Sequence, residues 1–218
     1  MEYTKDRQRE TVESYRRLNK LAVKGQIVFT GSSLMEHFPL NEIAMNHGLN
    51  KIVYNRGIGG FTTFDFIENI EAQLLDLEPK YVFINIGTND LKNLEDGTPW
   101  QVSLEKNLTY IYSQIKERLP ETEVYTMAYY PMNENDEEFS VFAKAIGSIR
   151  SNEALKEASA IEKMTAEKFG FNYIDVNEGL TSEDGQLKSE FCKDAIHFFA
   201  DGYEVVYKNL EKYLENLK

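Results

Sequence analysis

Short apolar runs and amphipathic stretches alternate along this chain. Residues 26–30 (QIVFT), 52–55, 81–86 (YVFINI), 123–129 and 172–176 are apolar segments bounded by turn residues. Runs of about four to eight residues of this kind read as strands, and YVFINI, apolar throughout, reads as one buried on both faces. Between them lie helix-like stretches. Residues 3–22 form a mostly polar one, with Tyr15, Leu18 and Leu21 spaced to touch a core, and residues 40–47 a short one stopped by Gly48. Residues 63–77 carry Phe64, Ile67, Ile70, Leu74 and Leu77 at the spacing of one amphipathic helix. Residues 100–119 run to Pro120, 152–169 stop at Gly170, and 201–217 close the chain. Strands alternating with helices imply an α/β fold, a parallel sheet covered on both faces. With neither a linker nor a fixed-period repeat, residues 1–218 read as a single domain.

In open parallel sheets, sites gather at the carboxyl ends of the strands. Here those ends lead into Gly31-Ser32-Ser33, Arg56-Gly57-Ile58-Gly59-Gly60 and Gly87-Thr88-Asn89-Asp90. A serine hydroxyl is a weak nucleophile unless an oriented base takes its proton. His197 in KDAIHFFADGY is the best such base, and Asp194, three residues earlier, falls on the same side of a turn. Acyl transfer also needs donors aimed at an oxyanion. The Ser33 N–H, the Gly60 N–H and the Asn89 side-chain amide are the candidates. Each has a plainer reading: Asp194 as a turn cap, the glycines as turns, Asn89 as a loop cap.

Charge and composition narrow the partners. Thirty-six acidic against 24 basic residues give a formal charge of −12. Such a surface repels phosphate backbones and anionic headgroups, so no nucleic acid or membrane surface is expected. No stretch reaches the ~18 apolar residues of a membrane span. A single cysteine, Cys192, and a charged start without a signal-like apolar core point to a cytoplasmic protein, with the thiol buried and inert. Three histidines, His37, His47 and His197, lack ligand spacing, so no metal and no other cofactor is expected.

The ordered series GSS, NRGIGG, GTND and DAIH resembles the four sequence blocks of the SGNH (GDSL) hydrolases, over residues 25 to 207. Within that family the chain looks like the bacterial lysophospholipase-like and platelet-activating-factor acetylhydrolase-like members. The resemblance implies a three-layer α/β/α sandwich with a five-stranded parallel sheet, flavodoxin-like in form. It also implies a carboxylic ester hydrolase, acting through an acyl-enzyme on a small acyl ester. It places the nucleophile on Ser33, base and orienter on His197 and Asp194, and the oxyanion donors on Ser33 N–H, Gly60 N–H and Asn89. Ser32 stands where the family usually has Asp, which alters the hydrogen bonding of the turn.

Two other readings stay open at this point: a flavodoxin-like phosphate or FMN binder, and a non-catalytic relative that binds acyl or sugar groups. An α/β-hydrolase nucleophile elbow, GxSxG, lacks its second glycine here. Residues 132–154 are long for a loop and suit a pocket wall or lid, with Phe139, Phe142 and Arg150 as substrate contacts. The acyl and alcohol parts of the substrate are left open, as is a homodimer.

Overall fold

Each apolar run becomes a strand. In the computed structural model, which describes residues 4–135, 141 and 147–217, five strands form one all-parallel sheet. They are β1 (Ile27–Gly31), β2 (Val53–Gly57), β3 (Tyr81–Asn85), β4 (Glu123–Met127) and β5 (Asn172–Ile174), in the order β2-β1-β3-β4-β5. The order reverses around β1, so the chain leaves β1 and β3 in opposite directions and opens a crevice at their carboxyl ends. Register places Gly31 of β1 beside Gly57 of β2 and Asn85 of β3. The three loops singled out by the sequence therefore start side by side.

Side chains alternate across the sheet. Val28, Val82, Ile84 and Val124 enter one core, while Ile27, Phe29, Phe83, Tyr125 and Met127 enter the other. On the second face Phe29, Phe83 and Tyr125 occupy paired positions and stack, with ring centroids 4.5 and 4.7 Å apart. The first face is covered by α1 (Lys5–Asn19), α4 (Thr63–Glu68), α5 (Ile70–Gln73), α6 (Trp100–Arg118) and α7 (Asn152–Lys168). The second is covered by α2 (Ser33–Glu36), α3 (Leu40–Asn46) and α8 (Ala200–Glu215).

Two helices differ from the pattern reading. Residues 63–77 are broken into α4, α5 and a 3-10 turn at Leu75–Leu77, because Asn69 and Leu74 leave helical geometry. The Asn69 side chain donates to the Asp65 carbonyl at 2.9 Å, a local bond that competes with the helix. The break buries Phe66 and leaves Phe64 43% exposed. It also turns Gln73 inward, where Nε2 donates to the strand-end carbonyls of Gly31 (3.0 Å) and Arg56 (2.8 Å).

Helix α1 docks through other residues than expected. Leu18 and Leu21 are exposed, whereas Gln8, Val12 and Asn19 are buried. Gln8 Nε2 donates to the Gly59 carbonyl and Asn19 Nδ2 to that of Ala72, each at 2.8 Å. Asn19 Oδ1 accepts from Arg56 Nε at 3.0 Å, and that guanidinium lies over the Tyr15 and Tyr54 rings. Apolar periodicity is blind to much of this face, because two of its three buried side chains are polar and donate to backbone carbonyls.

Candidate active site

The turn after β1 leaves no spare volume. Gly31 has φ +151, and a Cβ there would stand 2.0 Å from the Asn85 carbonyl oxygen; at Gly57 it would stand 2.2 Å from the Glu36 nitrogen. Gly31 lets the end of β3 close on β1, and Gly57 lets α2 lie directly against the end of β2. Ser32 precedes that helix and Ser33 is its first residue, buried at 7% exposure. A backbone N–H in the first turn of a helix has no acceptor within the helix.

Opposite this turn, residues 192–198 make a tight hairpin. Cys192 pairs antiparallel with Phe198, and the Lys193 N–H donates to the His197 carbonyl at 2.8 Å. Ala195, at its tip, has φ 66, the left-handed region, and its carbonyl accepts from the Asn133 N–H at 2.8 Å. The hairpin turns Asp194 and His197 towards each other. Cys192 is half-buried here, not fully buried as its sequence context suggested.

Ser33, His197 and Asp194 are joined in one line. His197 Nε2 lies 2.8 Å from Ser33 Oγ, and Nδ1 lies 2.8 and 2.9 Å from the two Asp194 oxygens. A carboxylate only accepts, so the proton sits on Nδ1 and Nε2 is left to accept from the Ser33 hydroxyl. Asp194 Oδ1 also accepts the His197 backbone N–H at 2.9 Å. Burial raises the Asp194 pKa, but the hydrogen bonds from the His197 ring and backbone outweigh it and hold the carboxyl at about 2.

His37 was not singled out by the sequence. Its ring centroid stands 4.8 Å from that of His197. Burial, then the positive fields of His197 and Lys193, push its pKa down to about 4, so it is neutral at neutral pH. The signal was present in the spacing: His37 follows Ser33 by four residues, one helical turn.

The other two loops are tied to each other. Asn89 lies in the 3-10 turn Thr88–Asp90, and its Nδ2 donates to the Phe61 carbonyl, next to Gly60, at 2.9 Å. Asp90 accepts from the Thr63 N–H (2.9 Å) and hydroxyl (2.5 Å). Burial lifts the Asp90 carboxyl to about 6 against those two bonds. The Gly60 turn is held from its other side as well. Besides Gln8 on the Gly59 carbonyl, Glu36 Oε2 accepts the Gly59 N–H at 2.9 Å, and Tyr15 Oη donates to the Gly57 carbonyl at 2.8 Å.

Arg150, expected to contact substrate, points its guanidinium at Thr88 and Asn89. Phe139 and Phe142 lie outside the described residues, as does much of the 132–154 excursion. The base of that excursion is fastened: Asn152 Oδ1 accepts the Met132 N–H and its Nδ2 donates to the Met132 carbonyl, both at 2.9 Å. Among the described residues no helix is long and apolar enough to cross a membrane, and no three His, Cys, Asp or Glu side chains group as a metal site.

The description of the GDSL-like Lipase/Acylhydrolase family matches residues 40–205. The chain belongs to that family. The match begins after Ser33, so the nucleophile assignment rests on the turn and its geometry. Among solved structures, a proposed platelet activating factor from Streptococcus pneumonia is 32% identical, with a TM-score of 0.81 over 95% of this chain and 92% of that one. A GDSL-like lipase from Bacteroides thetaiotaomicron is 18% identical, with a TM-score of 0.74 over 94% and 97% of the two chains. This second likeness concerns the fold alone. The uncharacterised lipoprotein YqeF of Bacillus subtilis (strain 168) is 41% identical over 68 residues, which is 30% of this chain and 28% of YqeF. Family membership sets aside the flavodoxin-like reading, which left GTND and DAIH without a role.

Proposed function

We propose that the protein is a serine ester hydrolase that cleaves small acyl esters through an acyl-enzyme on Ser33. The observation that carries this reading is the Ser33–His197–Asp194 line, with successive contacts of 2.8 Å. Ser33 Oγ attacks the ester carbonyl carbon while its proton passes to His197 Nε2. Asp194 stays ionised and stabilises the imidazolium that forms. The carbonyl oxygen, now an oxyanion, receives the Ser33 and Gly60 N–H groups and the second hydrogen of Asn89 Nδ2, the first being spent on Phe61. Collapse breaks the ester bond, and the proton on Nε2 goes to the leaving alkoxide. Water then repeats the sequence on the acyl-enzyme, giving its proton to His197 and releasing the carboxylic acid and free Ser33.

The net charge of −12 favours small soluble esters over anionic bilayers. A cytoplasmic location is proposed with it on the single cysteine, although YqeF is a lipoprotein; fractionation of producing cells tests this. The whole chain is proposed as the working unit, with no metal or cofactor.

Hydrolysis of p-nitrophenyl acetate or butyrate, unchanged by a chelator, is the expected activity. Ser33→Ala abolishes both turnover and labelling by a fluorophosphonate, while Ser32→Ala keeps the label. Labelling lost with Ser32→Ala and kept with Ser33→Ala overturns the assignment. A panel of esters differing in acyl length and alcohol then defines the substrate.

A further inference from the structure

Arg150 closes the excursion after β4, one residue before the Ser151 cap of α7. Its guanidinium is spent on the Asn89 turn. Nε donates to the Thr88 carbonyl at 3.1 Å, and Nη2 donates both to that carbonyl and to Asn89 Oδ1, the latter at 2.8 Å. The backbone follows the same path, with the Ile149 N–H on the Leu91 carbonyl at 2.9 Å. Part-buried and beside buried Asp90, this cation is fixed against the turn that carries Asn89.

An amide side chain can be rotated end for end at little cost in shape, and only its partners decide which end is which. Asn89 stands between a pure acceptor, the Phe61 carbonyl, and a pure donor, Arg150. Reversal would set the amide oxygen against a carbonyl and the NH2 against a guanidinium. It would also offer oxygen, not hydrogen, to a developing oxyanion. A cation on Oδ1 further draws electrons from the amide and strengthens its N–H donors.

We infer that Arg150 is a positioning residue of the ester-hydrolysing site, one that locks and polarises the Asn89 amide as an oxyanion donor. This rests on the proposed role of Asn89, and the two are separable. Removing one oxyanion donor costs on the order of 10² to 10³ in kcat, so Asn89→Ala slows turnover by that factor with KM within several-fold.

Arg150→Met then lowers kcat roughly 10- to 100-fold, again with little change in KM, since what it loses is part of that same donor. The decisive reading is the pair: the Asn89→Ala/Arg150→Met double variant is no slower than Asn89→Ala alone, because Arg150 acts through Asn89. Arg150→Lys keeps the charge but loses the Nε bond and the planar fork that fixes the direction of the bond to Asn89, so its kcat falls between wild type and Arg150→Met.

Several results overturn the inference. Multiplicative losses in the double variant, a rise in KM without loss of kcat, or wild-type kcat in Arg150→Lys each do so. A normal kcat with a lowered melting temperature in Arg150→Met also counts against it. If Asn89→Ala itself turns over normally, the oxyanion role of Asn89 falls and takes the inference with it. If Asn89→Ala is slow and Arg150→Met is not, the role of Asn89 stands and only the inference falls.

Discussion

His47 and His197 both have oxygen atoms at each ring nitrogen, yet they are built for opposite ends. His47, at the end of α3, lies 2.5 Å from Glu211 and 2.8 Å from Glu204, both on α8. Two acceptor-only groups can be satisfied together only by an imidazolium, and the Glu204 bond leads the effects that raise the His47 pKa. It is a clasp between two helices. His197 has a carboxylate on one nitrogen and a hydroxyl on the other. The hydroxyl can donate as well as accept, so these two partners suit the base that the proposed reaction needs. The difference lies in a single partner, Ser33 against a glutamate. Carboxylate contact alone does not mark a catalytic histidine.

The contrast is sharpest in turnover. His197→Ala should lower kcat by roughly 10⁴-fold or more, because the base is lost while the oxyanion donors persist. His47→Ala should leave kcat unchanged in the same ester assay. Equal losses would break the comparison. Asp194→Asn should cost a comparable factor, up to about 10⁴, since an amide can donate to Nδ1 and turn the wrong tautomer towards Ser33. The melting temperature at neutral pH should move far less than the rate.

Acid should separate the two sites next. The Asp194 carboxyl is held at about 2 in the folded protein against an ordinary 3.8. A depressed carboxyl gives stability that is present above the ordinary value and lost as pH falls through the folded one. Wild type should therefore lose stability relative to Asp194→Asn between about pH 4 and 2. Parallel melting curves over that window would contradict the tight Asp194–His197 bonding.

The smallest effect belongs to His47 and has the opposite sign. A histidine whose folded pKa is raised above 6.5 gives stability that is fully present below that value and lost as pH rises through the folded one. His47→Gln should melt lower than wild type at pH 5.5, and the gap should close in alkali. An unchanged gap would mean that the clasp holds by packing against Tyr207, whose ring lies 4.8 Å away.

The sheet was legible because buried parallel strands are nearly uniform in character, and YVFINI or QIVFT between turns leaves few alternatives. The hydrogen-bonded line of Ser33, His197 and Asp194 was legible because Asp194 and His197 are close in sequence and Ser33 follows a strand-end glycine. Contacts that depend on tertiary placement were not. Nothing in the spacing of 63–77 tells that Gln73 must reach two strand-end carbonyls, or that the helix breaks at Asn69 to allow it. Gln8 and Asn19 look like solvent-facing residues until the carbonyls they meet are known. Arg150 looked like a hand held out to substrate for the same reason; its partners, the Thr88 carbonyl and Asn89, lie about sixty positions away in the chain.

The two glycines beside the Ser33 turn divide the molecule's capacity to change. Neither Gly31 nor Gly57 has space for one more carbon, since the atoms in the way are backbone. A library randomised over the whole chain and selected on any ester should return glycine at both positions, because other residues misfold before substrate preference is sampled. Phe64, four residues after Gly60, and Phe199, two after His197, are by contrast 43% and 51% exposed. Side chains so exposed can be exchanged without crowding the strand ends. Variation should therefore collect at exposed positions of this kind and not at the two glycines, which leaves one rigid turn beneath a changeable surface.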